Sequence, residues 1–277
     1  MDADTPGGTR LRGVDLALIA AVAVALVAIH VVVPPSARSG LALHHDAVDP
    51  LALYTGAFVH LDLAHLLGNV GGFVAAALVA YGLCVQAGRR RWFLVTFAGF
   101  LLVLPVAVSL TSYAVLGAFY PWIDPVSRGF SGVGAGFAGF VFVALLAVLG
   151  RRYGFRIVGF VGLGVWLLLL LEVYLIYAGR VSLAVGGLVV IGWTACLWGL
   201  RRELAGPPES LRRRIEDELP HLLQVGLVVL LLVSFVSVLF PATIVDDGAV
   251  TDVFAHAAGF LYGLGGATLT HRYVSER

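Results

Sequence analysis

Charged side chains are scarce in this sequence: Asp, Glu, Lys and Arg make up 13% of its 277 residues, against about a quarter in soluble domains. Together with 60% hydrophobic residues and a mean hydropathy of +0.95, this scarcity excludes an ordinary soluble protein and indicates an integral membrane protein. The charges nearly cancel, to a net charge of +1, and no basic cluster is interleaved with aromatic side chains. A nucleic-acid partner is therefore not expected.

Lysine and cysteine are also scarce. All eighteen basic residues are arginine, and there are only two cysteines, Cys84 and Cys196. Both cysteines are expected near the cytoplasmic face of the membrane, where disulfides are disfavoured. We therefore expect two free thiols.

Apolar runs recur along the whole chain, and about 20 such residues suffice for one helical crossing of a bilayer. They predict an all-α, polytopic transmembrane helix bundle with about eight spans. The predicted spans are 14–33, 61–85, 93–119, 130–149, 155–177, 181–200, 221–240 and 252–269. A cleaved signal peptide is the alternative for the first run, although no small-x-small cleavage site follows it before Pro34 and Pro35.

The segments outside the spans are more polar. The membrane domain is expected to cover residues 14–270, with cytoplasmic tails at 1–13 and 271–277, the first of them disordered. The longer connections are expected to be loops at 34–58, at 120–128 and, strongly charged, at 201–219, the last with a short surface helix at 211–219.

The placement of arginine predicts the orientation, because cytoplasmic loops of membrane proteins are enriched in basic residues. With eight spans, fifteen arginines fall on one side and only Arg38, Arg128 and Arg180 on the other. This bias predicts a multi-pass protein of a prokaryotic plasma membrane with both termini in the cytoplasm. The even-numbered spans then run inward from the outer face.

Polar residues gather at the outer ends of three inward-running spans. Ser131 opens the fourth span, His60 and His65 flank the start of the second, and His256 follows the start of the eighth by roughly 6 Å. One such residue alone is usually explained by packing or by a backbone hydrogen bond. Their shared depth makes them functional candidates, because ionisable groups inside spans are costly.

Glycine spacing suggests how these groups could meet. Gly132 and Gly136 form a small-xxx-small face on the fourth span, and Gly259 and Gly263 share a face with His256 on the eighth. Such faces let two helix backbones approach closely. A hydroxyl and an imidazole could then come within hydrogen-bonding reach, as an activated serine nucleophile requires.

The polar residues and glycines fall into three motifs that resemble those of the rhomboid family of intramembrane serine proteases. The matches, in the family's order, are His60-x4-His65-x3-Asn69 to HxxxxHxxxN, Gly129-Phe130-Ser131-Gly132 to GxSG, and Ala255-His256-x2-Gly259-x3-Gly263 to AHxxGxxxG. The resemblance covers roughly residues 14–270.

The resemblance implies an intramembrane endopeptidase that cuts membrane-protein substrates near the outer face, with neither a metal nor a cofactor. It implies Ser131 as the nucleophile and His256 as the general base and acid. Asn69 and His65 would stabilise the oxyanion beside the Ser131 amide. Supporting roles fall to His60, which would bond loop backbone near the site, and to Gly129, Gly132, Gly259 and Gly263.

The chain also departs from the family pattern. The family core has six helices, with one between the serine helix and the histidine helix, whereas three are predicted here, so an extra pair is expected within 155–240. Ala135 replaces an aromatic residue that often packs on the catalytic imidazole, which leaves Phe130 or Tyr262 as candidates to hold the ring. The first loop lacks the Trp-Arg pair that many members carry.

Two other function classes compete with a protease. A non-catalytic relative that binds membrane helices is compatible with Ala135, whereas a transporter is disfavoured because the polar residues lie at one end of the spans only. Glu172 could belong to an ion path, but pairing with Arg180 or Tyr174 is the simpler expectation.

Further polar residues near the outer face have simpler interpretations than a functional site. We expect Asp252 to cap the last helix rather than to orient His256. The run His44-His45-Asp46 lacks tight metal-ligand spacing, and His60 and His65 are five apart rather than the four of a zinc-protease HExxH helix.

Overall fold

The computed structural model describes residues 6–46, 49–120, 126–204, 209–243, 245–246 and 249–276. Within these ranges the chain forms ten α-helices: α1 (Pro6–Val32), α2 (Pro35–Leu41), α3 (Ala52–Thr55), α4 (Leu63–Gln86), α5 (Arg90–Phe119), α6 (Ser131–Tyr153), α7 (Phe155–Ala178), α8 (Leu183–Glu203), α9 (Glu209–Leu239) and α10 (Val253–Ser275). Two antiparallel pairs of short strands accompany them: β1 (Leu43–His44) with β2 (Val126–Ser127), and β3 (Val245–Asp246) with β4 (Ala249–Val250).

The predicted all-α, polytopic membrane bundle is confirmed. Among the described residues, seven helices are long and apolar enough to cross a membrane: α1 from Arg12, α4, α5, α6, α7, α8, and α9 from Glu218. The eighth predicted span, 252–269, corresponds to α10. This helix has 23 residues but is not one of the seven, because histidines, glycines and threonines lower its hydropathy.

Both ends of the chain are more helical than expected. The expectation of a disordered tail over 1–13 is wrong from Pro6 onward, where α1 begins, while residues 1–5 lie outside the described part. The expected tail 271–277 continues α10 as far as Ser275.

The first connection, predicted as a loop over 34–58, is largely folded. It contains α2, β1, α3 and a 3-10 turn at Gly56–Phe58. Pro35 begins α2, where proline fits because the first helical N–H needs no partner inside the helix. The two prolines that suggested a loop therefore mark a helix start.

The predicted break between the surface helix 211–219 and the span 221–240 is also wrong, since α9 runs continuously from Glu209 to Leu239 through Pro220. A proline removes one backbone donor, but a membrane helix tolerates it when neighbours hold the helix. Here Glu218 of α9 accepts a hydrogen bond from Arg152 at 2.9 Å and another from Tyr153. These contacts hold the turn just before the proline.

The chain divides into two compact units, Met1–Val141 with Ile244–Arg277, and Phe142–Thr243. The first has an aromatic core around Phe137, whose ring centroid lies 5.2 to 5.6 Å from those of Phe73, Phe97 and Phe100. The ten residues from Gly132 to Val141 are all buried. The helix that begins at Ser131 is therefore enclosed directly after its first residue.

A buried ion pair, which the sequence did not indicate, ties α1 to α5 in this unit. The carboxylate of Asp15 is fully buried and accepts two hydrogen bonds from Arg90, each 2.6 Å long. Tyr81 of α4 donates a third, at 3.1 Å. A buried carboxylate is tolerable only when it is paired in this way.

In the second unit α7 packs against both α8 and α9. Glu172 of α7 accepts a hydrogen bond from Ser237 of α9 at 2.6 Å, so the expected pairing with Arg180 or Tyr174 is wrong. A carboxylate two helical turns from the end of an apolar helix needs the partner that α9 supplies.

The two cysteines belong to different units. Cys84 lies in the first and Cys196 in the second, and both are buried free thiols, as expected.

Candidate active site

Ser131 and His256 meet in the first unit, each near the start of its helix. Ser131 is the first residue of α6 and His256 the fourth of α10. The Oγ atom of Ser131 lies 2.8 Å from Nε2 of His256, a hydrogen-bonding distance. The imidazole is 7% exposed. A serine hydroxyl can donate to Nε2 when the ring proton is on Nδ1, so this geometry suits a serine activated by a base.

The backbones of α6 and α10 approach at their glycines. A Cβ added to Gly259 would collide with the carbonyl oxygen of Gly132, and one added to Gly263 would collide with that of Gly136. A Cβ on Gly139 would likewise collide with the carbonyl oxygen of Phe260. The glycine faces predicted from the sequence therefore pack directly on each other, and this contact brings the hydroxyl to the imidazole.

Asn69 and His65 of α4 lie against the backbone just before Ser131. Gly129 has a φ of +112°, which favours glycine. A Cβ at this position would lie 2.6 Å from Nε2 of His65 and 3.0 Å from Nδ2 of Asn69. Glycine at 129 thus supplies both the backbone turn and the space for the two side chains beside the segment that leads into Ser131.

The side-chain amide nitrogen of Asn69 is a buried donor that lacks a hydrogen-bond acceptor in the described part of the chain. Its Nδ2 atom has no hydrogen-bond partner among the described residues. Buried polar groups are normally paired, so an exception calls for an explanation. An unpaired donor beside Gly129, two residues before Ser131, would suit an oxygen that carries negative charge only during a reaction.

His60 supports the loop that leads into the serine helix. Its Nε2 atom accepts a hydrogen bond from the backbone N–H of Phe130 at 3.4 Å. Burial, aided by the neighbouring His65, His30 and Arg38, lowers the pKa of His60 to about 3, so the ring is neutral and able to accept. This contact agrees with the structural role that the resemblance implies.

Arg38 anchors the other side of His60 and has no counterpart in the sequence prediction. Its guanidinium donates to the carbonyl oxygen of His60 at 3.2 Å and contacts the ring of His30 on α1. Arg38 belongs to α2, within the connection expected to be a loop, so only the folded form of that segment reveals its role.

Carboxylates near the site serve as helix caps. Asp252 accepts a hydrogen bond from the N–H of Ala255 at 2.9 Å, which confirms that it caps α10. Asp62 caps α4 in the same way through the N–H of His65, at 2.8 Å. This hydrogen bond is the main cause that lowers the pKa of the Asp62 carboxyl. Both caps hold the helix ends that carry the candidate residues.

Ala135 lies at the contact between α6 and α10. It is fully buried, and a Cβ added to Gly259 would lie 3.3 Å from the Cβ of Ala135. The ring of Phe130 contacts Phe58 and Phe73. The hydroxyl of Tyr262, the other candidate to hold the imidazole, lies 2.6 Å from Thr111 Oγ1.

No metal centre emerges in the part of the chain that the structure describes, where no three His, Cys, Asp or Glu side chains are grouped as ligands. In the run His44-His45-Asp46, the two imidazoles contact Ser39 and Ser127 respectively, through their Nε2 atoms.

Comparison of the chain with protein-family models, with curated proteins and with solved structures found no match. The function of the protein must therefore be inferred from the geometry of the site and from the three motifs.

The glycine contact can be tested with one substitution and a matched control on the same helix. Gly259→Ala places a Cβ against the Gly132 carbonyl and should lower the thermal unfolding temperature in detergent. Gly265→Ala meets nothing within 4 Å and should be neutral or stabilising, by about 0.5–1 kcal/mol. Equal unfolding temperatures for the two variants would contradict the close packing of α6 and α10.

His60 predicts a dependence of stability on pH. In the unfolded chain it binds a proton near pH 6.5, but in the folded protein only near 3. Its contribution to stability is therefore complete above pH 6.5 and is lost as the pH falls towards 3. His60→Asn should therefore weaken the fall of the unfolding temperature between pH 7 and 4. A His60→Asn profile as steep as that of the wild type would show that His60 is not buried as a neutral ring.

Proposed function

We propose that this chain is an intramembrane serine endopeptidase in which Ser131 and His256 form a catalytic dyad. The observation that carries the proposal is the distance of 2.8 Å between Ser131 Oγ and His256 Nε2. Ser131 heads a helix apolar enough to cross a membrane. A relative that only bound membrane helices would need no hydroxyl paired with an imidazole.

The geometry supports acyl transfer through a serine ester. Ser131 attacks the carbonyl carbon of the scissile peptide while His256 accepts its proton at Nε2. The imidazolium then donates that proton to the leaving amine. In the second half of the reaction His256 activates a water molecule, which hydrolyses the ester and restores Ser131. Asp252 caps α10 and takes no part in the proposed proton transfer.

Charge that develops on the substrate oxygen would be stabilised at the start of α6. The first N–H groups of a helix have no partner inside it, and the helix dipole favours negative charge there. The free amide of Asn69 supplies a further donor, and His65 lies beside it against Gly129. Donors held in place before the reaction need no reorganisation as the charge forms.

We propose that the substrate is a membrane-spanning segment of another protein. The proposed reaction involves no nucleic-acid partner, metal or cofactor. Backbone hydrogen bonds protect the peptides of a helix in lipid, so a cleavable segment must unwind near the cut. The excess of arginine on one side supports a prokaryotic plasma membrane, cytoplasmic termini and a site that opens towards the outer face.

A cleavage assay on single-span reporter proteins in vesicles or detergent tests the dyad. Ser131→Ala and His256→Ala should each abolish product formation, because one removes the nucleophile and the other removes its base. Both variants should keep the unfolding temperature close to that of the wild type. Equal product from the wild type and both variants would exclude the protease.

Asn69→Ala tests the oxyanion donor separately from folding. Loss of one such donor typically costs about 10²–10³-fold in kcat, and KM should change little. Because the Asn69 amide has no partner at rest, its removal should leave the unfolding temperature unchanged. A marked loss of stability, or unchanged kcat, would make Asn69 a structural residue.

A further inference from the structure

A chain of hydrogen bonds runs beside the dyad through residues that the motifs do not include. Nε2 of His45 lies 2.9 Å from Oγ of Ser127, and Oγ of Ser127 lies 3.2 Å from Oγ of Ser112. The hydroxyl of Ser112 donates to Oδ2 of Asp252. The four residues belong to separate elements: the segment after β1, β2, α5 and the cap of α10.

The donor in each hydrogen bond of this series follows from the number of hydrogens that each side chain can donate. A carboxylate only accepts, and a hydroxyl has one hydrogen to donate. Since Ser112 donates to Asp252, Ser127 must donate to Ser112, and His45 must donate its Nε2–H to Ser127. Every donor is then matched with an acceptor, and hydrogen bonds aligned in one direction strengthen one another.

Two members of this hydrogen-bonded series, Asp252 and Ser127, lead directly to the dyad. Asp252 precedes His256 by four residues and caps the turn that carries it, with its other oxygen accepting from Ala255 at 2.9 Å. Ser127 precedes Ser131 by four residues, in the strand that enters the Gly129 turn. Ser112 is therefore the point where the segments that carry the nucleophile and the base are joined.

Ser112 itself is held firmly. Ser112 is only 1% exposed within α5. The ring of the neighbouring Tyr113 packs against that of His45, with the two ring centroids 5.6 Å apart. The connection between the two segments therefore lies on a helix that also packs along α10.

We infer that Ser112 is a positioning residue for the Ser131–His256 dyad, acting through Asp252 on one side and Ser127 on the other. This inference rests on the proposed protease function. Ser112 touches neither the substrate nor the reacting atoms. It sets the separation of the hydroxyl and the imidazole by fixing the segment that leads into each.

The experiment compares the full chain with three single variants, and with the double variant Ser112→Ala/Asp252→Ser, in the reporter cleavage assay. Ser112→Ala removes the link, and Ser109→Ala removes another buried serine of α5 outside the link. Asp252→Ser keeps a helix cap, but its single, shorter-reaching oxygen serves the Ala255 N–H and leaves Ser112 without its acceptor. Rates of labelling of Ser131 by a fluorophosphonate are measured beside kcat and KM.

A displacement of about 1 Å at a catalytic group can cost about 10²-fold in rate. Ser112→Ala and Asp252→Ser should each lower kcat and the labelling rate by about 10- to 100-fold, with KM nearly unchanged. The double variant should lose no more than either single variant, because both break the same link. Ser109→Ala should match the wild type.

The outcomes separate this inference from the protease proposal. A wild type that cleaves and is labelled, beside a Ser112→Ala variant with the same kcat, overturns the positioning role and leaves the protease intact. Additive losses in the double variant, or an equal loss in Ser109→Ala, overturn it as well. A wild type that neither cleaves nor is labelled removes the protease, and the inference with it.

Discussion

The close approach of two helix backbones is the constraint on which this site depends. Gly259 and Gly263 of α10 lie against the carbonyls of Gly132 and Gly136 on α6, a separation that no larger residue would allow. Without a hydrophobic driving force between helices in lipid, such packing and the hydrogen bonds it permits hold the pair together. The hydroxyl of Ser131 and the imidazole of His256 meet because the backbones behind them do.

The polar side chains around this contact have separate structural roles. Asp62 and Asp252 cap helices, His60 accepts from the loop backbone, and Arg38 holds that loop. Beside Gly129, the side-chain amide nitrogen of Asn69 has no partner among the described residues. A buried donor that is not needed for the fold is the kind of group that a reaction can use.

Local patterns in the sequence predicted the helices and the residues of the candidate site, because hydropathy, glycine spacing and motif spacing are read along one helix. Apart from the glycine contact between α6 and α10, contacts between distant segments were not predictable in this way. The pairs Asp15 with Arg90, Ser112 with Asp252, and Glu172 with Ser237 depend on how each helix is rotated about its own axis. The hydropathy pattern of a single helix does not show which of its polar residues will face a given neighbouring helix.

Two of the wrong predictions fall at prolines. Pro35 lies in the segment expected to be a loop, yet it begins α2, and Pro220 lies between the expected surface helix and the expected span, yet α9 passes through it. Proline removes one donor and restricts its own φ, but it leaves the neighbouring residues free to continue a helix. Whether they do is decided by contacts elsewhere, such as those of Arg152 and Tyr153 with Glu218.

The location of His256 in the first turn of α10 has a consequence for how the site responds to heat. Helix ends open locally at a much lower free energy than the whole fold. Fraying of a single turn would carry the imidazole away from Ser131 while the aromatic core around Phe137 stays intact. For the proposed protease, inactivation on warming would then be reversible and would precede denaturation of the membrane bundle.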